Sequence, residues 1–389
     1  MDNNGHQTIS ACMIVKNEVH TLPDCLRTIL GYVDELVIVD TGSTDGTQAL
    51  IDTWAEYANK GTKIVRGEYQ WHDDFSAARN YAMTLTTGDW IFTIDADDRV
   101  AVDDWATMKN LMAKAPEDLG DFDVIACQVI NIYKEKGYED GVFRGMLIQQ
   151  RFFKSKSNME YVGAWHNQPS WPHLNRPVNL IRTSFRIMHT GYGMITADKL
   201  KEKHERLLRM GQKAVEDHPD KASVWRNLAK AYWGCYVISG KDITDRNQEY
   251  MTNLHEACDR AASITNTAQS HIFAEVMFLK GQAYYSMAKY IEAEECLAAA
   301  IKEHPRYIDA ILFRGYCCAD NQNLSAAQYW LRRYLIEQER LSQLESHSLI
   351  TYEYANEVAR VHETLAAIAH HLNRERYNMG VILAPAMKG

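Results

Sequence analysis

Three carboxylates follow a short apolar segment of this chain, and their spacing is suited to binding a cation. The segment Trp90–Ile94 is followed by Asp95, Asp97 and Asp98. An apolar run of this length between polar residues predicts a buried strand, and the carboxyl ends of strands in open α/β sheets are where ligands bind. Residues i and i+2 of an extended backbone point to the same side. Asp95 and Asp97 therefore predict a site for Mg²⁺ or Mn²⁺, which commonly bind through one or two carboxylates and substrate phosphates.

A pair of aspartates alone is also compatible with a polar turn after a strand, so the surrounding elements decide between the two interpretations. Apolar patterns predict strands at 9–15, 35–40 and 63–65 and a helix at 75–85. Strands that alternate with helices over short connections indicate a mostly parallel sheet with helices on both faces. Longer strand patterns predict an antiparallel extension of that sheet at 123–133, 146–153 and 178–188.

The second half of the chain has a helical pattern that continues to its end. The segments 274–307 and 308–341 each span about 34 residues, which is the tetratricopeptide period. An earlier, interrupted copy starts near Trp225, and three stacked helix pairs satisfy the minimum that such arrays need. We expect a connecting helix at 197–220 and a helical repeat domain at 221–389. Residues at signature positions of the first copy include Gly281, Ala293 and Pro305.

Composition is that of a globular protein with room for two or three domains in 389 residues. The net charge of −9 argues against a general nucleic-acid or anionic-membrane surface, although it leaves a local basic groove open. The 8 cysteines form no CxxC pair and predict core thiols in a reducing compartment. Neither a signal peptide nor a run of apolar residues long enough to span a membrane is visible. We expect a cytoplasmic protein.

Four motifs of the first half occur in the order and spacing of the family 2 glycosyltransferases with the GT-A fold. They are Ile14–Glu18, Val39–Thr47, Phe75–Asn80 and Asp95–Asp98. This resemblance implies an α/β GT-A domain with a Rossmann-like mixed sheet over 1–196, followed by the all-α tetratricopeptide-like domain. The later sequence His189-Thr190-Gly191-Tyr192 and the helical repeats narrow the resemblance. The layout is similar to the bacterial subgroup that contains the sublancin S-glycosyltransferase, which glycosylates a peptide cysteine.

The resemblance implies a metal-dependent, inverting enzyme of the hexosyltransferase type. Its donor would be a nucleoside diphosphate sugar, foremost a UDP-sugar, and its cofactor Mg²⁺ or Mn²⁺. The helical half would bind a peptide or protein acceptor that receives the sugar on Cys, Ser or Thr. Three alternatives stay open: a saccharide or lipid-linked acceptor with the repeats used for homo-oligomerisation, a modified nucleic-acid base as acceptor, and a scaffold without catalytic activity.

The donor-binding positions that the resemblance implies lie at the ends of the predicted strands. They are Lys16, Asn17, Glu18, Asp40, Arg79 and Asp95. Asp40 would accept hydrogen bonds from the base or ribose, and a helix-capping acid is the alternative. Arg79 presents a planar fork suited to phosphate oxygens, and a surface ion pair is the alternative.

Three residues are the candidate metal ligands. Asp97 is the main one, Asp95 is shared between the metal and the ribose, and the family's use of a late histidine or acid implies His189 as the third. A histidine with a purely structural role is the alternative at this position. Bound there, the metal would act as a Lewis acid that neutralises the departing diphosphate.

The general base is less well defined by the sequence. The subgroup commonly has His-Glu where this chain has His166-Asn167, which leaves His166, Asp98 or no base to take the proton of the acceptor. A thiol acceptor, with an ordinary pKa of about 8.5, needs less help than a hydroxyl. Trp165 and Trp171 would form a wall against sugar faces, or else belong to the core.

Overall fold

The computed structural model of the protein describes residues 7–57, 61–113, 122–135, 138–165, 167–191, 197–239, 245–343 and 357–383. Contacts between Cα atoms divide the chain into two compact units, Met1–Ile195 and Thr196–Gly389. Within the described ranges, every helix is too short or too polar to cross a membrane.

One large mixed sheet organises the amino-terminal unit. Its strands in the described residues are β1 (Ile9–Val15), β2 (Glu35–Asp40), β3 (Lys63–Glu68), β4 (Trp90–Thr93), β5 (Asp98–Val100), β6 (Val124–Glu135), β7 (Tyr138–Lys154) and β10 (Leu180–His189). They lie side by side in the order β3-β2-β1-β4-β7-β6-β10-β5. A separate hairpin consists of β8 (Glu160–Val162) and β9 (Gln168–Ser170).

The two halves of the large sheet differ in strand direction. Strands β3, β2, β1 and β4 are parallel, and β7 then runs antiparallel to both β4 and β6. The predicted parallel half and its extension are therefore confirmed, with one difference. Strand β10 runs parallel to β6, because β7 has already returned the chain to the opposite end before β10 begins. The extension is mixed and not purely antiparallel.

Helices and aromatic side chains fill the space around this sheet. The helices are α1 (Leu22–Ile29), α2 (Thr47–Tyr57), α3 (Phe75–Thr84) and α4 (Asp104–Ala113). All six residues of β2 are buried, as expected for a central strand covered on both faces. Phe92 of β4 stacks on Phe152 of β7 with ring centroids 4.2 Å apart, and this contact joins the two halves of the sheet.

Strand pairing brings two candidate site residues together. Strand β5 pairs antiparallel with the end of β10, in a register that sets Asp98 opposite His189. The backbone of Ile94 still bonds to β1 beyond the end of β4, through its N–H and the carbonyl of Cys12. The three aspartates therefore lie where β4 has ended and β5 begins, beside the last residue of β10.

The carboxy-terminal unit is helical throughout its described residues. Its helices are α5 (Ala197–Asp217), α6 (Ala222–Ile238), α7 (Asp245–Ile264), α8 (Ser270–Ser286), α9 (Tyr290–Glu303), α10 (Ile308–Asp320), α11 (Leu324–Gln343) and α12 (Val358–Leu383). The two predicted repeats contain the pairs α8/α9 and α10/α11, so the tetratricopeptide-like pattern is confirmed. The insertion predicted inside the earlier copy lies mostly outside the described residues.

A repeated close contact explains the glycines of the two repeats. A Cβ built on Gly281 would come within 2.8 Å of Leu297, and a Cβ built on Gly315 would come within 2.6 Å of Leu331. A glycine at the equivalent position of each repeat therefore lets the two helices of the pair approach closely. All eight cysteines are buried and free, which confirms the predicted core thiols.

Candidate active site

Two arginines bind the carboxylate of Asp95. Nη2 of Arg79, on α3, lies 2.6 Å from Oδ1, and Nη1 of Arg151, on β7, lies 3.3 Å from Oδ2. Burial alone would raise the pKa of Asp95, but the two guanidinium groups outweigh burial and hold that pKa well below its usual range. Asp95 is therefore an ionised group with both oxygens engaged. Its predicted contacts with ribose and metal stay predictions.

Arg151 is the residue of this cluster that the sequence analysis missed. Its side chain is only 9% exposed, and its Nη2 lies 3.3 Å from Oδ2 of Asp98. Nη1 also donates to the carbonyl of Thr93 at the end of β4. An arginine directly before the apolar pair Phe152–Phe153 was the available signal, because a buried cation needs a carboxylate partner. The sequence did not indicate which carboxylate it would be.

Asp97, Asp98 and His189 form a group whose potential metal-binding atoms all lie within 4.8 Å of one another. Nδ1 of His189 is 2.9 Å from Oδ1 of Asp98 and 3.5 Å from Oδ1 of Asp97. The side chain of Asp98 has no exposed surface, whereas that of Asp97 is 25% exposed. The structure thus brings the predicted ligands Asp97 and His189 together, and the fully buried Asp98 contacts the same histidine. The predicted role of Asp98 as a base stays a prediction.

The electrostatics of this group favour a bound cation. Burial raises the pKa of Asp97 to about 6; His189 opposes that shift, and Asp98 adds to it. Burial would lower the pKa of His189, but the hydrogen bond with Asp98 and the charge of Asp97 outweigh it and bring that pKa to about 9. A protonated imidazole is therefore the cation that balances the carboxylates in this state. Two carboxylates and an imidazole are a donor set that suits a divalent metal such as Mn²⁺.

Backbone geometry keeps space open beside Asp97. Both the N–H and the hydroxyl of Thr190 donate to the carbonyl of Asp97, each over 2.9 Å. The next residue is Gly191, and a Cβ built there would lie 1.9 Å from Oδ2 of Asp97. A side chain at position 191 would therefore displace the carboxylate, which explains the glycine after His189-Thr190.

Asp40, at the end of β2, has two differently occupied oxygens. Oδ1 accepts hydrogen bonds from the backbone N–H groups of Gly42 and Ser43 and from Nε2 of Gln48, over 2.8, 2.9 and 3.1 Å. Oδ2 is buried and has no hydrogen-bond partner within the described ranges. Burial would raise the pKa of Asp40, but the hydrogen bonds from Ser43 and its neighbours outweigh burial and lower that pKa. One oxygen holds the turn after β2, and the other can still accept a hydrogen bond.

The three residues after β1 differ in their surroundings. Asn17 has a left-handed backbone (φ 60°), and its side-chain oxygen accepts from the N–H of Thr44 over 2.8 Å. The N–H of Glu18 donates to the hydroxyl of Thr47 over 2.8 Å. Lys16 is exposed. Asn17 and Glu18 therefore fasten the loop after β1 to the loop after β2, and direct donor contacts by all three residues stay predictions.

Helix α3 fastens the β8 hairpin to the same region. The side chain of Asn80 bonds to both the N–H and the carbonyl of Tyr161, over 2.8 and 2.9 Å. The ring of Tyr161 lies against Arg79, with the guanidinium carbon 5.6 Å from the ring centroid. Its hydroxyl is 3.0 Å from that of Thr93. Helix α3 therefore holds both the arginine that binds Asp95 and the start of the loop between β8 and β9.

The remaining predicted residues lie in and after that loop. Trp171 contacts the core, with its ring centroid 6.1 Å from that of Phe153 and its indole N–H donating to Ser157 over 3.2 Å. Trp165 is half-buried. These positions favour the core interpretation for Trp171, and the sugar-wall role of both tryptophans stays a prediction. His166 lies outside the described residues, so the structure does not test its role.

Comparison with known proteins supports the interpretation of the amino-terminal unit. Residues 10–176 match the sequence model described as "Glycosyl transferase family 2". The SPbeta prophage-derived glycosyltransferase SunS of Bacillus subtilis is 23% identical over 310 residues, which cover 79% of this chain and 66% of SunS. The lipopolysaccharide core biosynthesis glycosyltransferase LpsC of Rhizobium meliloti is 34% identical over 112 residues, covering 29% and 40% of the two chains.

Another relative is named for its TPR repeats. The TPR repeat-containing protein Synpcc7942_0270 of Synechococcus elongatus is 30% identical over 234 residues, which cover 57% of this chain and 51% of that protein. The chain therefore spans about two thirds of the length of SunS and about half of the length of the Synechococcus elongatus protein.

Proposed function

Because residues 10–176 match the family 2 glycosyltransferase model, we propose that this protein transfers a sugar, with inversion, from a nucleoside diphosphate sugar to a peptide or protein. A UDP-sugar is the proposed donor and Mg²⁺ or Mn²⁺ the proposed cofactor. The resemblance to the subgroup that contains the sublancin S-glycosyltransferase supports a peptide acceptor, and the match to SunS supports a glycosyltransferase. The tetratricopeptide-like helices support it as well, since such arrays commonly bind peptides.

The observation that carries the proposal is the cluster of Asp97, Asp98 and His189 at the end of β10. Metal-binding histidines usually donate their second ring N–H to a carboxylate. With His189 oriented by its hydrogen bond to Asp98, the imidazole and the carboxylate of Asp97 would hold a divalent cation. The bound cation would supply Lewis-acid stabilisation of the diphosphate leaving group.

Other residues of the site would orient the donor without contacting the cation. Oδ2 of Asp40, which has no partner among the described residues, would accept a hydrogen bond from the base or the ribose. Arg79 would contribute positive charge near the diphosphate while it holds Asp95. Buried charges that are fixed in advance stabilise a developing negative charge without reorganisation.

The acceptor would lose a proton as it attacks the sugar. His166 is the proposed base for a hydroxyl acceptor. A cysteine acceptor would need less assistance, because a thiol, with an ordinary pKa of about 8.5, ionises far more readily than a hydroxyl. The segment before His166 is held by α3, since the carbonyls of Gly163 and Ala164 accept hydrogen bonds from Ser76 and from the N–H of Phe75, over 2.6 and 3.0 Å.

Calorimetric titration tests the donor and metal parts of the proposal. UDP should bind more tightly than GDP or ADP, and it should bind tightly only when Mn²⁺ is present. Asp97→Asn should remove the effect of Mn²⁺, whereas Asp103→Asn, a change of an exposed carboxylate in the turn after β5, should preserve it. Equal UDP affinity with and without Mn²⁺ in the wild-type protein would refute the metal dependence.

A further inference from the structure

The helical unit contains a groove between its first three helices, α5, α6 and α7. Its volume is about 350 Å³, which is within the usual range of small-ligand and side-chain sites. Every residue that lines it belongs to this unit. These residues are Gln212, Val215, Glu216, Trp225, Leu228, Tyr232, Asn253, Glu256 and Ala257.

The bottom of the groove is apolar and rigid. Leu228, Tyr232 and Ala257 are buried. Trp225 is half-buried, and its indole N–H donates to the carbonyl of Pro219 over 2.9 Å. This hydrogen bond fixes the ring, so the aromatic wall is preformed. An extended aliphatic stem would gain apolar burial against these side chains.

The rim of the groove is acidic and has unused polar groups. Glu216 and Glu256 are exposed, and neither forms an ion pair with a described residue. No lysine or arginine lines the groove. The side-chain amide of Asn253 forms no hydrogen bond within the described ranges, and an amide can bond to both the N–H and the C=O of a peptide backbone.

We propose that this groove binds a cationic segment of a peptide or protein partner. A lysine or arginine of the partner would lay its aliphatic stem along Leu228 and Trp225 and place its charged head between Glu216 and Glu256. The face of Trp225 would add a cation–π attraction. The acidic rim repels phosphate groups, which argues against a nucleic acid or nucleotide as the occupant.

Binding of a cationic segment by the groove does not depend on catalysis. The further statement that this segment belongs to the sugar acceptor rests on the proposed function. The two can be tested separately on the same full-length protein, because UDP binding with Mn²⁺ reports on the donor site and peptide binding reports on the groove.

Three peptides of equal length provide the test, one with several lysines and two in which glutamine or glutamate replaces each lysine. In calorimetric titrations, the lysine peptide should bind more tightly than either of the other two, and salt should weaken its binding. The double variant Glu216→Gln/Glu256→Gln should weaken lysine-peptide binding by about tenfold or more.

A matched control separates the groove from the overall negative charge of the protein. Glu202→Gln/Glu303→Gln makes the same charge change at exposed positions outside the groove and should leave peptide affinity unchanged. Equal losses in the two double variants, or equal affinity for the lysine and glutamine peptides, would overturn the proposal. If no peptide binds while UDP with Mn²⁺ binds normally, the groove proposal fails and the proposed function stands.

Discussion

Nδ1 of His189 lies 2.9 Å from Oδ1 of Asp98, whose side chain has no exposed surface. The two residues are opposite each other in the β5–β10 pairing. Oδ2 of Asp98 also accepts a hydrogen bond from the N–H of Asp95 and lies 3.3 Å from Nη2 of Arg151. A carboxylate held this firmly fixes the orientation of the imidazole, so the candidate metal site is organised by the sheet and not by a loop alone.

We therefore expect Asp98→Asn to weaken metal-dependent donor binding. Loss of a carboxylate that orients a metal-binding histidine typically costs about 10- to 100-fold in metal affinity. Titration of the variant with UDP and Mn²⁺ measures the effect. Asp123→Asn is the control, because Asp123 is also a buried carboxylate and pairs with Arg176 over 2.6 Å outside the cluster. If folded Asp98→Asn and wild-type protein bind UDP with Mn²⁺ equally well, Asp98 does not support a metal site.

Gly191→Ala should disturb the same site through its shape. The new methyl group would overlap Oδ2 of Asp97, from which a Cβ would be 1.9 Å away. We expect UDP affinity in the presence of Mn²⁺ to fall by about tenfold or more, because the carboxylate of Asp97, a proposed metal ligand, would be displaced. Thr190→Ala should have a smaller effect, because the N–H of residue 190 still donates to the carbonyl of Asp97. The reverse order of effects in the titration would contradict this role of Gly191.

Arg151→Met should destabilise the protein. The substitution removes one of the two cationic partners of the buried Asp98 and leaves His189 as the other. Removal of one partner of a buried ion pair typically costs about 3–5 kcal/mol. Arg151→Lys should cost stability too, since an ammonium cannot reproduce the fork that contacts both Asp95 and Asp98. Denaturant unfolding of both variants measures this. Arg27→Met, which removes an exposed ion pair with Asp24, should unfold almost as the wild type does.

Much of the fold could be predicted because its strands have a clear apolar pattern. The strands β1 and β2 begin and end where the sequence predicted, since both are central, buried and bounded by polar loops. The helix pairs were predictable from a repeated spacing, which the equivalent contacts of Gly281 and Gly315 explain. The direction of β10 was not predictable, because it depends on how β6 and β7 have already placed the chain.

The site could be predicted only in part, and for a physical reason. Asp97 and His189 were identified together although they are far apart in the sequence. Asp98, the nearer neighbour of His189 in space, is 91 positions away from it. The engagement of Asp95 by two arginines was not predictable. It depends on the β4–β7 pairing, which brings Arg151 to the end of β4. Spacing along one strand gives the direction of a side chain, but it cannot show which distant residue meets it.

His166→Ala tests the remaining catalytic prediction. If His166 is the general base, transfer to a hydroxyl acceptor should slow by about 10²- to 10⁴-fold, while UDP affinity in Mn²⁺ should remain unchanged. Transfer to serine- and cysteine-bearing test peptides, followed by mass spectrometry, measures the rates. His173→Ala, at an exposed position, should behave as the wild type. A normal rate with both peptides would rule out His166 as the base.

His255 in the helical unit should make stability depend on pH. Its ring packs against Tyr284 with centroids 4.3 Å apart, and neither ring nitrogen has a hydrogen-bond partner among the described residues. Burial, with Lys280 adding to it, lowers the pKa of His255 to about 4. The unfolded chain takes up a proton near the ordinary pKa of about 6.5, whereas the folded chain does not. The contribution of His255 to stability is therefore complete above about pH 6.5 and is lost as the pH falls towards 4.

Thermal unfolding of the wild type and of His255→Phe between pH 7.5 and pH 4.5, a window set by these two pKa values, tests this expectation. Phenylalanine keeps the ring against Tyr284 but cannot be protonated, so the melting temperature of the variant should fall less on acidification. His362→Phe removes an exposed histidine of α12 and should leave the pH dependence of the wild type unchanged. If the melting temperatures of the wild type and of His255→Phe fall equally on acidification, His255 has the same pKa in the folded and the unfolded chain, and the expectation is wrong.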